Sequence, residues 1–193
     1  MDPILEGLVT TTNGDGSMHF APMGPRVDPQ WRHLVLRPFP TSHTFQNLRV
    51  HGEGVLHVTD DVYLLARAAL GTAEAPAQRP AERVNGFVLQ DACRYYEFKV
   101  RTCDESGERV QINAEIVHAG VIREFWGFNR AKHAVLEAAI LATRLHILPL
   151  EEVAEDYRKL KIIVEKTGAQ REHDAFAYLQ AFLEHFRETQ RPR

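Results

Sequence analysis

The chain has 193 residues, 44% of them hydrophobic and 25% charged, with Lys+Arg 23 against Asp+Glu 26 for a net charge of -3. That profile reads as a soluble globular protein, with one sizeable core or a core plus a helical appendage, and excludes a disordered chain. No basic block exceeds isolated pairs, which argues against nucleic-acid binding by counterion release, and no apolar window approaches a membrane span.

No signal pattern precedes the first apolar run, ILEGLV, and the two cysteines, Cys93 and Cys103, make no disulfide framework, so a cytoplasmic location is expected. Ile4 to Thr12 is the first strand candidate, ended by the hairpin-type turn Asn13-Gly14-Asp15-Gly16. Met18 to Val27 returns as a second strand, placed at an edge or irregular by Pro22 and Pro25. Trp31 to Arg37 is the third strand, followed by a short helix around Thr44 to His51, closed at Gly52, and by a strand over Gly54 to Thr59. Val62 to Leu70 suits a helix that Asp60 and Asp61 would cap, and Gly71 to Pro80 reads as a surface loop.

Tyr96, Phe98, Val100 and Thr102 alternate with Glu97, Lys99 and Arg101, and Val110, Ile112, Ala114 and Ile116 alternate after the turn at Asp104 to Gly107. This is the clearest hairpin pattern, and it directs Glu97 and Glu115 to solvent. Val121 to Phe128 would add one more strand. Several strands with short turns indicate a barrel or sandwich rather than a doubly wound sheet.

From Asn129 the pattern turns helical. Ala131 to Leu148 is apolar nearly all round, which predicts burial against the barrel or a partner chain. Val153, Tyr157, Leu160 and Val164, then Phe176, Leu179, Leu183 and Phe186, repeat at helical spacing on either side of Gly168, expected at a helix C′ position. They predict an antiparallel helix hairpin.

The segment Arg37 to Asn47, RPFPTSHTFQN, carries the most chemistry. Two prolines bend the chain after a strand, and Thr41 or Ser42 stands where a helix N-cap belongs. A cation, the hydroxyls of Thr41, Ser42 and Thr44, and the unpaired N–H groups of a helix start together suit a phosphate. Thr10, Thr11 and Thr12 end the first strand, and Ala21-Pro22-Met23-Gly24-Pro25 offers small residues where a flat ligand approaches the backbone. No GxGxxG, GxxxxGK[ST], HExxH or GxSxG pattern occurs, the histidines form no metal-ligand spacing, and no acid/base pair is defined by spacing.

The order GLVTTTNGDGSMHFAPMGPRV, HLVLRPF, TSHTFQNL and GEGVLHVTDD resembles the FMN-binding split barrel of the flavin-reductase type. The later segment NRAKHAVLEAAILATRLHIL is similar to one branch of that superfamily, the domain of unknown function 447. The resemblance implies a mainly β split barrel with helices, divided into an FMN-binding domain over 1–128 and a helical C-terminal extension over 129–193. It implies a homodimer, with FMN in a groove between subunits. Arg37, Thr41, Ser42 and Thr44 match phosphate ligands, Asn47 matches the asparagine of the motif, and Met23 and Gly24 match the region whose backbone meets the isoalloxazine. Fewer cations stand here than in the usual segment, so phosphate affinity rests more on the helix start.

The expected activity is that of a flavin-dependent oxidoreductase of unknown substrate, with a nicotinamide or deazaflavin as electron donor and no assigned catalytic residue. His19, Thr11 or Arg130 would tune the ring. The alternatives are a non-catalytic flavin-binding dimer and a barrel that has lost its flavin.

Overall fold

The structure is a computed structural model and describes residues 2–190. The chain forms two compact units, one of Met1–Thr59 with Glu74–Phe125, the other of Asp60–Ala73 with Trp126–Arg193. The first contains β1 (Gly7–Thr12), β2 (Met18–Met23), β3 (Arg26–Val27), β4 (His33–Leu36), α1 (His43–His51) and β5 (Glu53–Val58). It continues with β6 (Gln78–Pro80), β7 (Phe87–Leu89), β8 (Arg94–Asp104) and β9 (Gln111–Val121).

Seven of these strands form one antiparallel sheet in the order β2-β1-β5-β8-β9-β4-β3. Pairing between the first two strands runs on past β2, through the Leu5 N–H to Pro25 carbonyl bond and a bridge between Ile4 and Arg26. Arg26 then pairs with β4, at the other end of the sheet order. The sheet therefore curls into the half-barrel of a split-barrel fold. Its inner face buries Val9, Leu34, Leu36, Leu56, Phe98 and Ile112, and α1 closes that core with Phe45 and Leu48. Each such side chain contributes roughly 1.5–3 kcal/mol by leaving water. Gly54 has no side chain for a packing reason: a Cβ there would lie 2.7 Å from the Phe98 ring.

The long hairpin is present as β8 and β9, but Glu97 does not face solvent. It is fully buried, and its carboxylate accepts the N–H groups of Glu82 at 2.8 Å, Arg83 at 2.6 Å and Val84 at 3.1 Å. The cause lies in the stretch assigned to a surface loop, whose end pairs as β6 with β7. This strap covers the outer face of the sheet, so both faces of the first half of β8 are buried. Thr10 and Thr12 donate to the carbonyls of Phe87 and Asn85, Glu53 accepts from the Asn85 N–H, and buried His57 accepts from the Leu89 N–H.

Three other strand expectations change. The second strand breaks at Gly24-Pro25 into β2 and β3, because Pro25 has no N–H to give a ladder. The third begins only at His33; the Asp28 carboxylate accepts the N–H groups of Gln30, Arg32 and His33 and holds Trp31 in a loop at φ 55. No strand spans 122–128, since the N–H groups of Ile122 and Arg123 both turn to the Cys93 carbonyl and end the ladder.

The second unit contains α2 (Val62–Ala69), α3 (Arg130–Ala142), α4 (Leu150–Thr167) and α5 (Gln170–Thr189). Asp61 caps α2 by accepting from Tyr63 and Leu64, whereas the Asp60 carboxylate, expected to share that role, accepts from the Trp126 N–H at 2.9 Å. α3 ends at Ala142 rather than Leu148: the Thr143 hydroxyl bonds back to the Ile140 carbonyl, and the following bonds tighten into turns. Buried alanines along α3 let α4 pack closely, and Tyr157 donates to the Ala138 carbonyl at 2.7 Å. Gly168 ends α4 in an extended conformation (φ -85) instead of the left-handed one, and is a glycine because a Cβ would meet the Val164 carbonyl at 2.7 Å. The antiparallel pair α4–α5 is present, with the Tyr157 and Phe176 rings 5.7 Å apart.

Lys132 Nζ bridges Glu172 at 2.7 Å and the Asp60 carbonyl at 2.9 Å. Burial pushes the Glu172 carboxyl up, but the hydrogen bonds from Lys132 and the Ala169 N–H outweigh it and hold the group below its ordinary value.

Candidate functional site

The β3–β4 ladder consists of two pairs, Val27 with Leu34 and Arg26 with Val35. Continued by two residues it would set Gly24 opposite Arg37, but Pro25 and Pro38 have no N–H groups and the ladder stops. The chain after β4 instead turns toward the start of β9, where the Pro38 carbonyl accepts from the Val110 N–H at 3.1 Å. β2 therefore pairs with β1 along one edge and with no strand along the other. That free edge and the segment Arg37 to Thr44 have no strand pairing between them, and this gap in the ladder is the candidate cleft. The short β3–β4 ladder bounds it at one end. At the other, His19 on β2 meets Thr44 on α1, with Nε2 and Oγ1 3.3 Å apart.

The helix start is built by its own sequence. Ser42 is the N-cap at φ -74, ψ 143, and its Oγ accepts from the Phe45 N–H at 3.2 Å. The Gln46 N–H bonds the Ser42 carbonyl, so the N–H groups of His43 and Thr44 have no partner among the described residues. The first turn carries no acidic residue, which leaves the positive end of the helix dipole uncompensated. Arg37 is exposed and makes no ion pair among the described residues. Arg109, from the β8–β9 turn, donates to the Arg37 carbonyl at 3.3 Å and lies over the Phe39 ring at 3.9 Å. A second guanidinium thus stands beside Arg37.

The predicted residues divide by what their atoms still have to offer. Arg37 and Thr41 are exposed, and their side chains have no partner among the described residues. Thr44 is buried beside His19, so its backbone N–H and its hydroxyl both belong to this end of the cleft. The Ser42 hydroxyl donates to the Phe39 carbonyl at 2.8 Å while it caps the helix, so its hydrogen is already committed. Both amide hydrogens of Asn47 are committed too, to Thr11 Oγ1 at 3.0 Å and Asn13 Oδ1 at 2.8 Å. The open atom of Asn47 is its carbonyl oxygen, the wrong polarity for a phosphate. Asn47 instead positions Thr11, whose fully buried hydroxyl keeps a hydrogen with no acceptor among the described residues.

Met23 and Gly24 lie four and five residues beyond His19, so about 13 Å of strand separates the Met23 backbone from the helix-start end of the cleft. The half-buried Met23 side chain packs on the inner core. Gly24 is crowded from the other side, since a Cβ would approach Ile4 Cγ2 at 2.9 Å and Glu6 Oε1 at 3.1 Å. Its small size serves strand packing as well as any approach to its backbone. Arg130 is exposed at the start of α3, in the helical unit.

Four groups at the helix start carried too weak a sequence signal. His43 looked like one of ten scattered histidines, yet its ring lies 5.5 Å from that of His19. Burial and the neighbouring His43 hold the His19 imidazole below its ordinary pKa, so it is neutral at pH 7. Asn13 reads only as a turn residue, Thr11 as a hydroxyl that would tune the ring rather than as a partner of Asn47, and Arg109 reaches Arg37 only once the long hairpin has folded back. Among the described residues, no group of three or more His, Cys, Asp or Glu could hold a metal ion, and no helix is long and apolar enough to cross a membrane.

Two family models match the chain: "Protein of unknown function (DUF447) N-terminal domain" over residues 5–123 and "Protein of unknown function (DUF447)" over 129–181. No curated protein matches at a significant level. Among solved structures, the FMN-bound protein MM1853 from Methanosarcina mazei is 24% identical, with 94% of this chain and 96% of that chain covered at a TM-score of 0.79. The 2-nitrobenzoate 2-nitroreductase NbaA of Pseudomonas fluorescens is 17% identical over 63% of this chain and 66% of its own, TM-score 0.52. Flavoredoxin of Desulfovibrio vulgaris is 16% identical over 62% and 70%, TM-score 0.51. These likenesses concern the fold, a split barrel of the flavin-reductase type. With both parts of the family model matched in order along most of its length, the chain belongs to the DUF447 family.

Proposed function

We propose that this protein binds FMN in the cleft between β2 and the Arg37–Thr44 segment and acts as a flavin-dependent oxidoreductase. The observation that carries the reading is the helix start at Ser42: two open N–H groups, no acid in the first turn, and Arg37 and Thr41 with free donors beside it. A dianionic phosphate fits that donor set, and the dipole favours it. The edge strand from His19 to Gly24 leads away from this end with its outer backbone groups open, a surface on which a flat ring can lie. The FMN-bound protein MM1853 supports the same cofactor, and the likeness to a flavoredoxin supports a flavin.

When bound, the isoalloxazine supplies the electron transfer, and the protein supplies binding, orientation and electrostatics. The N–H groups of His43 and Thr44 hold phosphate oxygens, Arg37 adds a charge-assisted contact, and Asn47 keeps the Thr11 hydroxyl in place. The reading takes a homodimer as the working unit, with a nicotinamide or deazaflavin as electron donor. The helical residues from 129 onward serve as an extension of the FMN-binding barrel or of its partner copy.

The test is spectroscopic. Purified protein mixed with FMN should retain the flavin through gel filtration and show its perturbed visible bands. Under anaerobic conditions, NADH, NADPH or a reduced deazaflavin should then bleach them. Protein that retains no FMN refutes the reading; retained FMN that no donor reduces refutes its oxidoreductase half.

A further inference from the structure

The phosphate segment has a deficit of fixed cations. Arg37 is its single guanidinium and it contains no lysine; the guanidinium beside it, Arg109, is engaged by the Arg37 carbonyl and the Phe39 ring, while a flavin mononucleotide phosphate carries close to two negative charges at neutral pH. Two imidazoles stand where further charge would be felt. His43 is the first residue of α1, and the His19 ring is tilted against it at 5.5 Å while His19 Nε2 faces Thr44 Oγ1 at 3.3 Å. The elements packed around His19 bring no negative charge to it. β1 presents Thr11, the turn presents Asn13, and α1 presents His43, Thr44 and Asn47. The nearest acid in sequence, Asp15, is turned to the Ser17 N–H and hydroxyl.

We infer that the His19–His43 pair is a titratable half of the phosphate site, taking up a proton when a phosphate monoester binds and making its affinity pH-dependent. The inference rests on the phosphate reading above and adds the regulation of that site. In the free protein, burial and mutual repulsion keep His19 neutral. A dianion at the open N–H groups of α1 reverses that balance, because an opposite charge within a few ångströms favours the imidazolium. The proton comes from solvent and is shared by the pair, since two imidazoliums at this separation repel. Protonated at Nε2, His19 donates to Thr44 Oγ1, which leaves the Thr44 hydroxyl hydrogen for a phosphate oxygen. The sign follows: above the second pKa of the phosphate, about 6, affinity falls as pH rises through the bound-state pKa of the pair.

Calorimetric titration of the full-length protein at pH 7.5, in two buffers of different ionisation enthalpy, measures the proton uptake. FMN should take up on the order of half a proton, and its Kd should rise about tenfold between pH 6.5 and 8.5. Riboflavin, which has the ring but no phosphate, should show neither effect. The double variant His19→Gln, His43→Gln should keep a native-like cooperative unfolding transition, which controls for folding, and bind FMN with no proton uptake at pH 7.5. Zero uptake in the native protein, or equal uptake in the variant, overturns the inference. A preference for FMN over riboflavin that persists without uptake refutes the imidazole pair alone. Equal affinity for the two flavins at every pH refutes the phosphate site and the pair together.

Discussion

Asn47 and Thr11 are 36 positions apart in the chain, and the side-chain amide of one donates to the hydroxyl of the other at 3.0 Å. The second amide hydrogen goes to Asn13. One side chain on α1 thereby ties the helix to β1 and to the turn after it, and fixes the direction in which Thr11 can donate.

Replacing Asn47 by Ala should therefore act on stability first and on ligand second. Two hydrogen bonds, to the buried Thr11 and the half-buried Asn13, are lost, about 1–2 kcal/mol by denaturant titration. FMN and riboflavin should weaken by the same small factor, since Asn47 itself does not touch the phosphate. Asn47→Asp should discriminate, because a carboxylate near the open N–H groups repels the phosphate and leaves riboflavin unaffected.

Glu97 holds the strap on the outer face through three backbone N–H groups. Glu97→Gln keeps the shape but turns an NH2 toward at least one of those donors. A loss of about 2–3 kcal/mol is expected, because a buried donor is left without an acceptor. Limited proteolysis and amide exchange should locate the new opening at 78–90, ahead of global unfolding. Uniform protection of that segment would contradict the anchoring role.

His57 adds an acid-labile anchor. Its Nε2 accepts the Leu89 N–H at 3.0 Å, so the proton sits on Nδ1, which donates to the Leu8 carbonyl at 3.3 Å. Burial lowers its pKa to about 4. The unfolded chain, with an ordinary histidine pKa of about 6.5, takes up this proton first as pH falls. The stability tied to neutral His57 is fully present above pH 6.5, and about 3 kcal/mol of it is lost as pH falls to 4. Denaturant titrations should show this slope in the native protein and a flatter one in His57→Gln, whose amide oxygen can still accept from Leu89.

The parts of the fold that were legible in the sequence are those whose signal is local. The alternation from Tyr96 to Ile116 appears as β8 and β9, Asp61 caps α2, and the prolines around Arg37 mark a bend before a capped helix. The strap was not legible. A run with Pro76, Pro80 and several alanines reads as loop, and only its tertiary partners Glu97, His57, Thr10 and Thr12 give it a place. For the same reason the pattern directs Glu97 to solvent, since alternation tells which residues share a face but not whether something covers it. At the candidate site, the residue types and their order pointed to the helix start. Which hydrogens remain free, what commits Ser42 and Asn47, and that His19 meets His43 are facts of distance between segments.

The FMN-to-riboflavin affinity ratio, compared between native protein and the double variant Arg37→Ala, Thr44→Ala, reads directly whether the helix start at Ser42 holds the phosphate. If the helix start holds the phosphate, the variant loses about tenfold or more in FMN affinity, the scale of one charge-assisted hydrogen bond, while riboflavin binding changes little. Equal losses for the two flavins, or an FMN affinity that does not change, would contradict it.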